Sequence, residues 1–436
     1  MNAQIRFPMR HLQRTCVQAV VCGCMIIGPS PLLAEGHAWT ELPSLPITVS
    51  NNAVTSVDNG DRTTAIYSFM GIINPLDEDT ITPLSFRMTL PDGEWESIAD
   101  APLLNGLGKI GANAVTVAGE VYLIGGYSVD GFSETTEHRL FRYDVDADSY
   151  VELAEIFFEV DDTVTGVYQD RYLYTISGWH GPSNDNIRFV QVYDTQTDDW
   201  SLASSIEQPL PGLFGHAGTI IGDRIVYMDG VNTAGGFVIS DRVFVGQIDP
   251  EKVGDVTEIE WLEVDPHPGL PTYRAAGSQG GTGDERLLLV GGTDNPYNFD
   301  GMGYNGDPSF PLDQILTYDP STEEWETIIA EGKRPPTMDH RGLVRAGDTW
   351  VIVGGMTAPG ATTDQVWQLT LGPTSLPGDL DGNGVVNLAD YAVFQGCFTG
   401  PGGGPVDREC IAGDSDLDGD IDLIDFGAFQ RAFAGR

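Results

Sequence analysis

One phrase recurs about every 30 to 65 residues between positions 35 and 371, and a chain written this way must bury each unit's apolar face against the next. The phrase runs as an apolar strand, a short turn, a second apolar strand ending in a glycine pair, a polar loop, a strand ending in Tyr-Asp, and then a tryptophan. The clearest glycine endings are Gly125-Gly126, Gly291-Gly292 and Gly354-Gly355, and worn versions are Met70-Gly71, Ser177-Gly178 and Asp229-Gly230. Tyr143-Asp144, Tyr193-Asp194 and Tyr318-Asp319 close the third strands. Trp95, Trp200, Trp261 and Trp325 follow in register, with Tyr150 standing in once.

Short alternating apolar runs bounded by Gly, Asp and Asn predict strands, and no helical periodicity competes with them here. Four strands per repeat make a propeller blade, and six glycine endings make six blades. The glycine pair permits a backbone conformation that a Cβ would block, and the large aromatic fills the wedge between neighbouring sheets. The sixth repeat supplies three strands and stops at residue 371. The missing fourth strand is predicted at the start of the large domain, where Trp39 would complete the last blade and cover its edge. Residues 372–378, with Pro373 and Pro377, are expected to form a linker. The repeat resembles the Kelch family, which implies an all-β six-bladed propeller over residues 35–371.

A second duplication occupies the C-terminus. Asp379, Asp381, Asn383, Val385, Asn387 and Asp390 align position for position with Asp414, Asp416, Asp418, Asp420, Asp422 and Asp425, 35 residues later. Each copy places oxygen side chains at loop positions 1, 3, 5, 9 and 12, with glycine at 6 (Gly384, Gly419) and a backbone carbonyl at 7 from Val385 or Asp420. Hard oxygens at this spacing suit Ca2+, which takes about 6 to 8 ligands in a flexible shell. Two calcium sites are therefore expected. An amphipathic stretch follows each loop, with aromatics at Tyr391, Phe394 and Phe398 and at Phe426, Phe429 and Phe433 on one helical face. Residues 379–436 resemble a type I dockerin, a small α-helical calcium-binding module, and the resemblance implies a cohesin-like or other surface partner. Leu388-Ala389 and Leu423-Ile424 stand where cellulosomal dockerins commonly carry paired hydroxyls.

Arg6, Arg10 and Arg14 precede an apolar run over 16–33 and a small-residue cleavage site at Ala34, the order of a secretory signal peptide over residues 1–34. The expected locations are secreted, periplasmic or cell-surface. The run is short and broken by Gly28-Pro29, and no other segment reaches the roughly 18 apolar residues a transmembrane helix needs. Removal of the leader leaves Cys397 and Cys410, an even pair read as a disulfide. With 64 acidic against 22 basic side chains and a formal charge of −42, the chain should repel nucleic acid and anionic membranes.

Loops after the second strand and loops leading into the next blade emerge on one face, and that face collects the unusual segments. Candidate ligand-binding residues are Trp179, His180, His216, Arg274, Asp294, Tyr297, Tyr304, His340 and Arg341. Aromatic rings beside Asn, Asp and Arg suit a sugar, because rings stack on C–H faces while polar groups read hydroxyls. Two enzyme families were tested on their residues. Galactose oxidase-like propellers need a cysteine crosslinked to tyrosine, and no cysteine lies between residues 35 and 396. The six-bladed bacterial N-acetylneuraminate epimerases, or sialic acid mutarotases, are similar in blade number and in the opening phrase at 42–46. Their catalytic carboxylate and arginine have no counterpart after Asp229-Gly230, where Val231 and Asn232 follow. No catalytic residue is assigned. The expectation is an exported propeller that recognises a carbohydrate or protein in a setting of polysaccharide binding or breakdown, with a sugar-acting enzyme and a structural surface-assembly protein as alternatives.

Overall fold

Strand Ala38–Leu42 pairs antiparallel with Val366–Thr370, setting Trp39 opposite Leu369, and this pairing joins the two ends of a ring of sheets. The computed structural model describes residues 37–131, 133–206, 212–234, 236–278, 286–371, 386–403 and 420–434, with residues 380, 406, 410 and 413. The leader, the linker 372–378 and the loop positions Asp379, Asp381, Asn383, Val385, Asp414, Asp416 and Asp418 lie outside the described residues.

Six antiparallel sheets with a four-strand path are present among the described residues. Blade 1 comprises Ala53–Asp58, Thr64–Ile72, Ile81–Leu90 and Glu96–Ile98; blade 2 Ile110–Val117, Glu120–Asp130, Phe141–Asp144 and Ser149–Glu152. Blade 3 comprises Val164–Tyr168, Tyr172–Ile176, Val190–Asp194 and Asp199–Ala203; blade 4 Ala217–Ile221, Arg224–Met228, Val243–Ile248 and Ile259–Val264. Blade 5 comprises Ala276–Gly277, Leu287–Val290, Ile315–Asp319 and Glu324–Thr327. Blade 6 takes Val344–Ala346, Thr349–Val353 and Val366–Thr370 from the end of the ring, and Ala38–Leu42 from its start.

The core is distributed. Each pair of neighbouring blades encloses its own apolar cluster, such as Tyr67, Phe69, Leu123 and Tyr143 between blades 1 and 2, or Tyr174, Ile176, Tyr227 and Phe244 between blades 3 and 4. Inner strands are therefore apolar on both faces, as the uninterrupted run Leu287–Val290 illustrates.

Both residues of all six glycine endings have positive φ, the worn pairs included. A Cβ on Gly126 would stand 2.7 Å from the Ile110 carbonyl oxygen, so the second position is sterically closed. Asp229 shows how the first position admits a side chain. Its carboxylate accepts hydrogen bonds from the Thr272 amide (2.8 Å) and hydroxyl (2.6 Å) and pairs with His267 Nε2 (2.9 Å), so the strained residue fastens blade 4 to the next connection.

The outer aromatics do a parallel job. Trp95, Trp200 and Trp261 donate their indole N–H to the carbonyls of Pro43, Ala154 and Ser204, each just past the outermost strand of the preceding blade. Tyr150 makes the equivalent bond to Ala99 through its hydroxyl at 2.9 Å, which is why a tyrosine can stand in for tryptophan.

In the C-terminal module, α1 (Leu388–Cys397) and α2 (Leu423–Ala434) follow the two loops as the aromatic spacing predicts. Val386 and Ile421, both at loop position 8, pack with Phe394 and Phe429 in one small core. Cys397 and Cys410 are bonded, with Cα atoms 5.4 Å apart. For a loop of this size chain entropy gives about 3 kcal/mol. Cys397→Ser with Cys410→Ser is expected to remove about that much from the module's stability, read as loss of protection in hydrogen exchange across both helices.

Candidate functional site

Each blade begins with one residue of left-handed backbone just before its first strand or, for Gly111, within it: Asn51, Gly111, Asp162, Gly215, Arg274 and Asp339, all with φ between 48° and 71°. This conformation turns the N–H toward the neighbouring blade. Asp162 donates to Gly111 O (3.0 Å), Gly215 to Asp162 O (2.9 Å), Arg274 to Gly215 O (2.8 Å) and Asn51 to Asp339 O (3.0 Å). Gly111 donates to the Asn51 side-chain oxygen at 2.7 Å, and His340 N to Arg274 O at 3.1 Å, completing the circuit.

Side chains from this circuit fill the axis. Arg274 pairs with Asp162 (2.5 Å) and Asp339 (3.2 Å), and Arg341 with Asp162 (2.5 Å) and, more loosely, Asp339 (3.7 Å). Ser50 and Asn51 also donate to the Asp339 carboxylate. All four charged side chains are buried, and their formal charges cancel. Burial opposes the Arg274 charge, but Asp162, with Tyr273 and Asp339, more than offsets it and holds the guanidinium protonated.

This cluster separates two spaces that Asp162 and Arg274 both line. Below it lies a cavity of about 40 Å³ reached by His216, His340 and Arg341. Above it, open to the mouth, lies one of about 190 Å³ lined by Tyr127, Glu134, Asp161, Trp179, Asn184, Phe214, Phe237, Asn298 and Tyr304 as well as Asp162 and Arg274.

The sequence-selected residues divide between these levels. Trp179, Arg274 and Tyr304 line the mouth cavity. His216 and His340 are buried at the lower level, where burial pushes their imidazoles down to about 4 and about 3, so both are neutral and structural. His216 Nε2 meets the Ile176 carbonyl at 3.0 Å, and His340 Nε2 the Thr337 hydroxyl at 2.9 Å. Tyr297 is fully buried beneath Arg274, its ring 5.3 Å from the guanidinium, and so supports that residue from below. His180 caps a short turn through Ser183 and faces Glu159 at 3.5 Å, and Asp294 is exposed; neither lines the cavity. Phe237, Phe214, Asn298, Glu134 and Asp161 line it without having been singled out. Phe214 and Asn298 lie within two positions of His216 and Tyr297, whereas Glu134, Phe237 and Asp161 have no chosen residue beside them in sequence.

In the C-terminal module, carboxylate oxygens of Asp420, Asp422 and Asp425 lie within 4.8 Å of one another, and all three residues are buried. The Asp420 carboxylate belongs to this group and accepts from Gly402 N (2.6 Å), beyond the backbone role expected of position 7. In the first loop Asp390 accepts from Leu380 N (2.7 Å) and Asn387 N (2.6 Å), and Asp425 accepts likewise from Asp422 N (2.8 Å). Positions 9 and 12 thus also cap the helices. Among the described residues no helix is long and apolar enough to cross a membrane.

No family model matches the chain. Kelch domain-containing protein 3 of Bos taurus and that of Homo sapiens are each 23% identical to it over 311 residues, 67% of this chain and 75% of theirs. Acyl-CoA-binding domain-containing protein 5 of Arabidopsis thaliana is 25% identical over 187 residues, 43% of this chain and 25% of that protein. The solved structure of YjhT superposes with a TM-score of 0.59 at 16% identity, covering 76% of this chain and 98% of that one. The large domain is a six-bladed β-propeller whose sequence is similar to Kelch domain-containing proteins.

Proposed function

We propose that the protein is an exported carbohydrate-binding propeller whose C-terminal module, organised by two Ca2+ ions, docks it to a partner. The observation that carries the binding reading is the mouth cavity. It is walled by Trp179, Phe237 and Tyr304, edged by the polar Asn184 and Asn298, and carries Asp162 and Arg274 in its lining. Rings that stack on sugar faces beside fixed amides are the equipment of a saccharide site.

Calcium fits the tail on donor chemistry. Three buried carboxylates within 4.8 Å repel one another by roughly 3 kcal/mol per pair at an effective dielectric near 20, and a divalent cation among hard oxygens removes that repulsion. When bound, the ion would supply charge neutralisation and draw the loop ends together. Leu388, Leu423 and Ile424 stand exposed at the starts of α1 and α2, so the partner surface they suit is apolar. The basic-then-apolar leader and the single disulfide support export.

A glycan array probed with the full chain tests the first part. Binding that Trp179→Ala abolishes is expected, and an array with no hit would end the sugar reading. Calorimetric titration of chelator-treated chain should find two calcium sites, one lost in Asp390→Ala and one in Asp425→Ala; absence of any heat would end the calcium reading.

A further inference from the structure

The mouth cavity holds an imbalance that sugar stacking does not use. Arg274 and Arg341 are matched by Asp162 and Asp339, which leaves Asp161 and Glu134 as the cavity's surplus carboxyls. Asp161 is 3% exposed, and among the described residues its side chain makes no hydrogen bond or ion pair. The terminal nitrogens of Arg274 are engaged by Asp162, Asp339 and the Asn298 carbonyl, so the guanidinium acts on Asp161 only through its field. Burial, then the adjacent Asp162, raise the Asp161 pKa well above the ordinary carboxyl range, so a cation seated beside it would stabilise the carboxylate and displace its proton.

A second observation concerns the rings. Tyr304, Phe237, Trp179, Phe214, Tyr273 and Tyr297 make a continuous run of ring contacts, stacked at Tyr304–Phe237 and tilted or edge-on below, with successive centroids 4.2, 6.0, 5.4, 5.7 and 5.6 Å apart. At its lower end the run already holds a cation: the Arg274 guanidinium lies 4.8 Å from the Tyr273 ring and 5.3 Å from Tyr297. At its upper end ring faces and carboxyls recur, and among the described lining residues the one basic side chain, Arg274, stands against two carboxyls beyond its partner Asp162. Aromatic walls closed by a carboxyl are the chemistry that holds organic ammonium groups.

We propose that the mouth cavity receives its ligand through a positively charged nitrogen, a protonated or quaternary amine seated against Trp179, Phe237 and Tyr304 and facing Asp161 and Glu134. The inference rests on the reading of this cavity as the ligand site and narrows the class of ligand, with an amino sugar as the carrier that joins the two.

Calorimetric titration of the full chain with glucosamine, N-acetylglucosamine, glucose and choline tests it. Glucosamine and choline are expected to bind, with the two neutral sugars at least tenfold weaker. Asp161→Asn, which keeps shape and removes charge, should weaken both amines about tenfold, and the exposed Glu134→Gln should weaken them without touching stability. Binding of choline alone would sustain the amine inference and discard the sugar. Glucose or N-acetylglucosamine binding as tightly as glucosamine would overturn the amine inference while leaving the sugar reading in place. Silence from all four probes, or amine binding unchanged in both variants, would also overturn it.

Discussion

A chain lacking residues 37–42 is expected to lose most of its stability, because the ring then has an open blade. Five register pairs between Ala38–Leu42 and Val366–Thr370 disappear. With them go the Trp39 N–H to Glu331 O bond (2.7 Å), the Glu331 N–H to His37 O bond (2.7 Å) and the Trp39 ring 4.6 Å from the Arg334 guanidinium. At a net 0.5–1.5 kcal/mol per hydrogen bond, about seven bonds contribute roughly 3.5–10 kcal/mol before the half-buried indole is counted, against a typical total of about 5–15 kcal/mol. Urea titration followed by circular dichroism would measure it. The decisive control grafts 37–42 behind residue 371 through a short turn, so that the same strand arrives from the other end. Closure predicts that this permutant regains most of the stability. A truncated chain with an unchanged urea midpoint would show that the sixth blade holds without its fourth strand.

Arg274→Ala should destabilise the propeller by about 3–5 kcal/mol, the cost of leaving buried carboxylates without their cation. Asp162 and Asp339 would then share Arg341 alone, at 2.5 and 3.7 Å. Arg274→Lys should recover little, since one ammonium cannot span both carboxylates and the Asn298 carbonyl as the forked guanidinium does. Charge and packing are separable here. If lost charge is the cause, adding Asp162→Asn to Arg274→Ala restores part of the urea midpoint, whereas a packing defect would be deepened by the second change. A single Arg274→Ala variant within about 1 kcal/mol of the parent would remove the cluster from any account of stability.

Much of the fold was legible because a propeller writes each blade's requirements in one local stretch. Glycine at the second position of each ending, the Trp or Tyr that reaches back to the preceding blade, and the need for Trp39 to come from the start of the ring all follow from short-range pattern. The mouth cavity was less legible, since its walls come from separate blades. Arg274 meets Asp162 across 112 positions and Tyr127 meets Asn298 across 171, and no periodicity spans such gaps. The long loop at 293–313 shows the difficulty in one residue. Its tyrosines look alike in sequence, yet Tyr297 turns inward to carry Arg274 and Tyr304 stays at the rim on Phe237. Polarity and length identify such a loop; which ring goes under and which goes over depends on what the other blades place there.

The ionic cluster across the axis also sets the geometry of traffic. Arg274, Arg341, Asp162 and Asp339 interlock where the mouth cavity and the smaller cavity meet, and Asp162 and Arg274 line both. Under the saccharide reading proposed above, a polymer meeting that cluster would be expected to present a terminus or a side branch to it.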